Sequence, residues 1–175
     1  MTHDQMLELW LLTRYHLPLN DPATVSVDSQ FGVDTLQIEE AAMQAWYLQQ
    51  LDTAPAALLP VEDCARSTSL LFERDGSCSV ILPDRCRRPL SVQLSSWRIP
   101  TTIITPDHPL ARLQASSMAR GGHYSPVAVL YGRTLKLYSP EAGSDTLTHL
   151  MCVVDDSPTS YDLDPSLLSN IPKLL

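Results

Sequence analysis

Five histidines, four cysteines and a scatter of serines and aspartates give this chain the side chains for acid–base, nucleophilic or metal chemistry, so their spacing decides what to expect. The zinc-protease His-Glu-x-x-His pattern, the Gly-x-Ser-x-Gly nucleophile turn, the phosphate-binding glycine loop and the Gly-x-Gly-x-x-Gly fingerprint are all absent from the sequence. A Ser/His/Asp or Cys/His set can still converge in space, but no linear pattern picks one out. No catalytic residue and no cofactor is therefore expected, and a hydrolase ranks as the third reading of function. Cys64, Cys78, Cys86 and Cys152 include no Cys-x-x-Cys pair and no histidine at zinc-ligand spacing. Each lies in or beside an apolar run, which reads as a reduced, small buried hydrophobe and not as a metal ligand. Asp155, Asp156, Asp162 and Asp164 offer carboxylates of the kind a hard cation takes, yet the central glycine and terminal glutamate of a calcium loop are missing. A solvated acidic linker is the better reading. His123, between Gly122 and Tyr124, is the histidine most open to a role, with a plain surface histidine the stronger alternative.

Interaction chemistry is better represented. Trp97-Arg98 joins two residue types that dominate protein interfaces; the competing reading turns Trp97 into the core at a strand start and Arg98 outward. Arg85, Arg87 and Arg88, with Arg74 upstream, make either a positive spot for an acidic partner or a solvated loop. The body around them is acidic, with 20 Asp and Glu against 12 Lys and Arg and a formal charge of -8. Such a surface repels phosphates and anionic membranes, so neither sequence-specific nucleic-acid binding nor membrane association is expected. No run reaches the roughly 18 to 20 apolar residues of a membrane span. No basic segment precedes an apolar stretch near the start, so a secreted protein is not expected.

The elements that must position these residues follow from periodicity. At 175 residues with 44% hydrophobic content, one α+β domain over 1–175 is expected. It divides into a helical part (1–60), a β-rich part (61–154) and an acidic linker with an apolar terminal segment (155–175). Thr2 and Gln5 resemble a capping box, and Met6, Leu9, Trp10 and Thr13 recur at helical spacing, which predicts a helix over 3–16. After a Pro/Asn/Asp/Ser-rich connection with a short strand near Val25–Val27, Asp34 caps a second helix over 35–52. Its apolar positions Ile38, Ala42, Ala45, Trp46, Leu48 and Leu51 predict a wide buried face. Leu70–Glu73 and Cys78–Leu82 flank an Asp75-Gly76 turn, a hairpin signal. An alternating strand over Leu90–Leu94 and a strand over Trp97–Ile104 come next. Thr105-Pro106-Asp107 opens a short inserted helix over 107–118, with Leu110, Leu113, Ala115 and Met118 as its apolar side. Val127–Tyr131 and Thr134–Tyr138 make a second hairpin around Gly132-Arg133, and Thr146–Val154 is the last strand. Two N-terminal helices packed on a mainly antiparallel sheet of hairpins, with a short C-terminal helical segment, is the expected architecture. That segment opens at Asp164-Pro165 and carries Leu167, Leu168, Ile171, Leu174 and Leu175, apolar residues that either fold back on the chain's own sheet or dock on a partner.

The run Asp75-Gly76-Ser77-Cys78-Ser79-Val80-Ile81-Leu82-Pro83-Asp84, then Pro89–Leu94 and Trp97-Arg98-Ile99-Pro100, resembles the head-to-tail adaptor (neck or ring connector) proteins of tailed bacteriophages. Pro126–Leu130, the Gly132-Arg133 turn, Leu135–Pro140 and Thr146–Val154 extend the resemblance over about 70–170. The composition is also similar to that of uncharacterised proteins encoded in gut Bacteroidales genomes and their phages. The basic Arg85-Cys86-Arg87-Arg88 and the Pro172 break near the terminus depart from the pattern. The resemblance implies a non-enzymatic subunit of a homo-oligomeric ring that contacts portal and tail proteins, located in the virion or the bacterial host cytoplasm. Trp97, Arg98, Arg85, Arg87, Arg88 and the terminal apolar residues are then candidate partner contacts. A host binding module that takes a ligand or peptide on an exposed sheet edge is the alternative from another class.

Overall fold

The computed structural model describes residues 1–15, 35–141 and 143–173, so the expected strand near Val25–Val27, the Asp34 cap, Leu174 and Leu175 lie outside the described residues. The chain has the expected α+β content and forms two compact units, one of Met1–Pro60 with Asp155–Leu175 and one of Val61–Val154.

In the first unit, helix α1 spans His3–Tyr15. The Thr2 amide donates to Gln5 Oε1 at 3.0 Å and the Gln5 amide to Thr2 Oγ1 at 3.4 Å, so the capping box closes in both directions. Asp4 in the first turn and Arg14 in the last complement the helix dipole. Helix α2 spans Thr35–Thr53. Its buried side chains are Glu39, Met43, Trp46, Tyr47 and Leu51, a single stripe at helical spacing. The wide face expected from Ile38 to Leu51 is narrower than that, because Ile38 and Ala45 point outward. The reason is Glu39. Its Oε2 accepts from Trp10 Nε1 at 2.8 Å and its Oε1 from the Tyr15 hydroxyl at 2.6 Å. The Arg14 guanidinium lies 3.1 Å from Oε2, and the Trp10 and Trp46 rings meet at 5.9 Å. A buried carboxylate must keep such partners, and these fix which side of α2 meets α1. Burial alone raises the Glu39 carboxyl pKa, but the two hydrogen bonds and the arginine outweigh it and hold it below the ordinary value.

The terminal stretch belongs to this same unit. The Tyr161 hydroxyl donates to Gln44 Oε1 at 2.5 Å, and its ring meets Tyr47 edge-on at 4.8 Å. Asp164 caps as expected, accepting from the Ser166 amide at 2.9 Å, and its own amide donates to the Leu58 carbonyl at 3.0 Å. The capped segment, Pro165–Asn170, is a 3₁₀ helix.

The second unit is one eight-stranded sheet. Its strands are β1 (Val61–Asp63), β2 (Leu70–Phe72), β3 (Ser77–Ile81), β4 (Cys86–Leu94), β5 (Thr101–Ile104), β6 (Ala128–Tyr131), β7 (Thr134–Tyr138) and β8 (Leu147–Val154). The order is β1-β8-β4-β5-β6-β7-β3-β2. Every pairing is antiparallel except β5 with β6. That parallel pair requires a crossover, and the crossover carries helix α3 (Pro109–Leu113). Gly76 at φ +76° and Gly132 at φ +60° make the β2–β3 and β6–β7 turns, conformations that cost glycine little. Cys64, Cys78, Val80, Val92, Leu94, Leu137, Leu150 and Cys152 belong to one buried cluster fed from both ends of the strand order, so the sheet curls around it.

Three expectations are corrected by this sheet and its crossover. β4 starts at Cys86, not at Leu90, so Arg87 and Arg88 lie on a strand; the ladder to β8 shifts register between Cys86 and Arg88 and between Pro89 and Ser91, which hides the period of two. Pro89 is tolerated because it borders such an irregularity. The strand expected from Trp97 begins only at Thr101. Helix α3 is five residues long and is capped by His108, whose Nδ1 accepts from the Leu110 amide at 3.2 Å. Its apolar side is reversed: Ala111 and Gln114 are buried, while Leu110, Leu113, Ala115 and Met118 are exposed, Met118 at 98%. Val127, Val129 and Tyr138 fill the space under α3, which leaves room for alanine and not leucine. Gln114 is satisfied there, donating to the Leu110 carbonyl and accepting from the Gly121 amide, each at 3.0 Å.

Candidate functional site

Ser95 and Ser96 end β4, and the turn they open is fixed by a carboxylate far along the chain. Asp145 Oδ1 accepts from Ser95 Oγ at 2.9 Å and from the Ser96 amide at 2.8 Å. Its Oδ2 accepts from Ser96 Oγ at 2.7 Å and from the Glu141 amide at 2.6 Å. Asp145 is buried, and burial pushes its carboxyl pKa up, but the serine and backbone hydrogen bonds prevail and hold it below the ordinary carboxylate value. The hub thus sets the Ser95–Arg98 turn and the start of the Glu141 loop in one frame.

A cleft of about 550 Å³ opens above that frame, lined by Ser95, Ser96, Trp97, Arg98, His123, Tyr124 and Glu141. Trp97 is its floor: only 3% exposed, it donates through Nε1 to the Ser139 carbonyl at 3.4 Å. The Arg98 amide donates to the His123 carbonyl at 3.0 Å, which ties the turn to the loop after α3. On the outer wall the Arg98 guanidinium sits 5.7 Å from the Tyr124 ring centroid, and Tyr124 is 76% exposed. The cleft therefore presents an arginine stacked on an exposed tyrosine, with a histidine and a glutamate beside them.

The two serines donate to Asp145 directly, with no imidazole between, so the group scaffolds a turn and lacks the order of an acyl-transfer triad. His149 does meet a carboxylate, Asp63 at 3.1 Å, but Asp63 also accepts from the Ala65 and Leu150 amides and so closes the β1 end. Among the described residues no group of three or more His, Cys, Asp and Glu could hold a metal ion.

The structure brings Trp97, Arg98 and His123 together and leaves the other expected contacts elsewhere. Trp97 is a floor and not a surface anchor, since its ring is needed in the core cluster. Arg85 pairs with Glu62 at 2.9 Å; Arg87 is exposed and Arg88 half-buried on β4. Leu167 and Ile171 are buried at 4% and 2%, so their side chains have no surface left for a partner, while Leu168 is half-buried. Nothing in the sequence marks Tyr124, Glu141 and Asp145, because each sits in a loop whose only linear signal is its turn residues. Compared with known proteins, the sequence matches no family model and no curated protein.

Proposed function

We propose that this chain is a non-enzymatic assembly protein whose Arg98–Tyr124 cleft docks a protein partner, and that the assembly is the head-to-tail connector ring of a tailed bacteriophage. The observation that carries the docking role is the pairing of an exposed Arg98–Tyr124 stack with a turn held rigid by Asp145. Arginine and tyrosine are the side chains that dominate interfaces, and a pre-set turn avoids the entropy cost of ordering them on binding. A ring needs two unlike surfaces on each subunit, because a contact that closes by rotation joins one patch to a different one. The second is the β2–β3 hairpin, where Leu71, Phe72 and Ile81 are 52%, 45% and 61% exposed. An acidic chain of net charge -8 fits a ring wall that lets DNA pass without holding it.

One specific observation favours the rival reading, a peptide-binding module: β2 ends the strand order and so offers an unpaired edge within the sheet. The double variant Arg98→Ala/Tyr124→Ala separates the two. Cosedimentation with a purified portal ring should fall at least tenfold in this variant while its circular dichroism stays unchanged. Retention at the wild-type level would remove the cleft from the interface.

A further inference from the structure

The donors of the Arg98–Tyr124 cleft divide into those the fold has used and those it has left. Ser95 and Ser96 give their hydroxyl protons to Asp145, at 2.9 and 2.7 Å, and Trp97 gives its Nε1 proton to the Ser139 carbonyl at 3.4 Å. The Arg98 guanidinium, the His123 ring and the Tyr124 hydroxyl line the same cleft, and among the described residues none of the three has a hydrogen-bond or ion-pair partner. Elsewhere in the chain Arg14, Arg85, Arg120, Arg133 and Lys136 each lie 3.7 Å or less from a carboxylate. Arg98 is exposed and stacks on Tyr124 instead. What the cleft holds open is a set of donors around one fixed positive charge, and a group that only accepts hydrogen bonds answers it.

Both walls that carry these donors are fixed by the fold. The Arg98 amide donates to the His123 carbonyl at 3.0 Å, and the Ser125 amide donates to the Gly122 carbonyl at 3.0 Å, which closes the turn that holds His123 and Tyr124. Directly before that turn, Gly121 passes so near the Ser125 carbonyl that a Cβ at position 121 would lie 2.2 Å from its oxygen. The Gly121 amide donates to Gln114 Oε1 at 3.0 Å, and Arg120 is anchored on the Gln114 and Asp75 carbonyls at 3.0 and 2.6 Å. A guanidinium over a ring is held by its flat side, so its N–H edge stays open for a forked contact.

We propose that the cleft takes an acidic side chain, Asp or Glu, presented on an exposed segment of its protein partner, an inference that rests on the docking role. Arg98 binds the carboxylate through its N–H edge, and His123 and Tyr124 add donors beside it. Glu141 decides between a carboxylate and a phosphate. It is exposed on the same cleft, and among the described residues its carboxylate has no partner. A phosphate group, close to a dianion, meets that charge with nothing to offset it. An acidic side chain carries half the charge, and the peptide amides next to it offer Glu141 donors.

The test titrates the full chain, labelled with nitrogen-15, and follows backbone amide shifts by NMR. The probes are acetyl-Gly-Glu-Gly-amide, its neutral twin acetyl-Gly-Gln-Gly-amide, acetyl-Gly-Gly-Gly with a free C-terminus, and inorganic phosphate. The Glu peptide should shift the Ser96, Arg98, His123 and Tyr124 amides and bind at least about fivefold tighter than the other three probes, the margin of a charge-assisted over a neutral hydrogen bond. Arg98→Ala should erase the preference for Glu over Gln. Glu141→Gln keeps the backbone bond to Asp145 and should tighten the Glu peptide about twofold, an effect that a merely structural residue would not have. Absence of cleft shifts with the Glu peptide, equal binding of the Glu and Gln peptides, or tighter binding of the free C-terminus or of phosphate would each overturn the assignment. Loss of portal cosedimentation in Arg98→Ala/Tyr124→Ala with no preference for Glu would keep the docking role and remove the acidic partner. A preference for Glu with undiminished cosedimentation would keep the carboxylate site and remove the portal from it.

Discussion

Asp145 accepts four hydrogen bonds through two oxygens, and removing the carboxylate leaves the Ser96 and Glu141 amides without their acceptor. Asp145→Ala should cost on the order of 3 kcal/mol in urea unfolding, since bonds to a charged acceptor are among the stronger ones and buried orphan donors are expensive. The pH dependence has a definite sign. The folded carboxyl is depressed, so its contribution is complete above the ordinary aspartate value of about 3.9 and is lost as the pH falls through the lower folded value. The thermal midpoint of the wild type should drop over that acid window by more than that of Asp145→Asn. At this scale the sequence is half legible. Trp97 and Arg98 are adjacent and stand out as a pair, but their partners Tyr124, Glu141 and Asp145 lie 26 to 48 residues away and meet them only through the fold.

Elements whose signals are local are legible with little error. The two glycine turns, at Gly76 and Gly132, need positive φ, and glycine announces that in the sequence. Gly132→Ala, at a position with open space around it, should cost about 1 kcal/mol from backbone strain alone, measurable as a lower urea midpoint with an unchanged slope. The capping box is equally local, and Thr2→Ala should lower stability by about 1 kcal/mol. Features that depend on tertiary space are the ones the sequence misplaces. Helix α3 turns its leucines outward because Val127, Val129 and Tyr138 already occupy the site under it, and no periodicity in 107–118 carries that fact. β4 reads as too short because its register shifts break the alternation that marks a strand. The terminal segment has the expected cap, and Leu167 and Ile171 on it are buried.

For the whole molecule, the α+β class is legible because helical and alternating periods occupy separate stretches, with the two long helices before the strands. Function is less so, since the proposed recognition surface has no obligatory residue pattern of the kind a catalytic centre has. In the proposed assembly, the Arg98–Tyr124 cleft and the apolar β2–β3 hairpin would be the unlike surfaces that one copy offers to the next. Light scattering of the purified full chain, alone and mixed with a portal ring, measures this directly. Assembly predicts either a species of the chain alone whose mass is a fixed multiple of 19.4 kDa, or a complex heavier than the portal ring by such a multiple. A strictly monomeric species in both samples, with no portal-bound fraction, would contradict it.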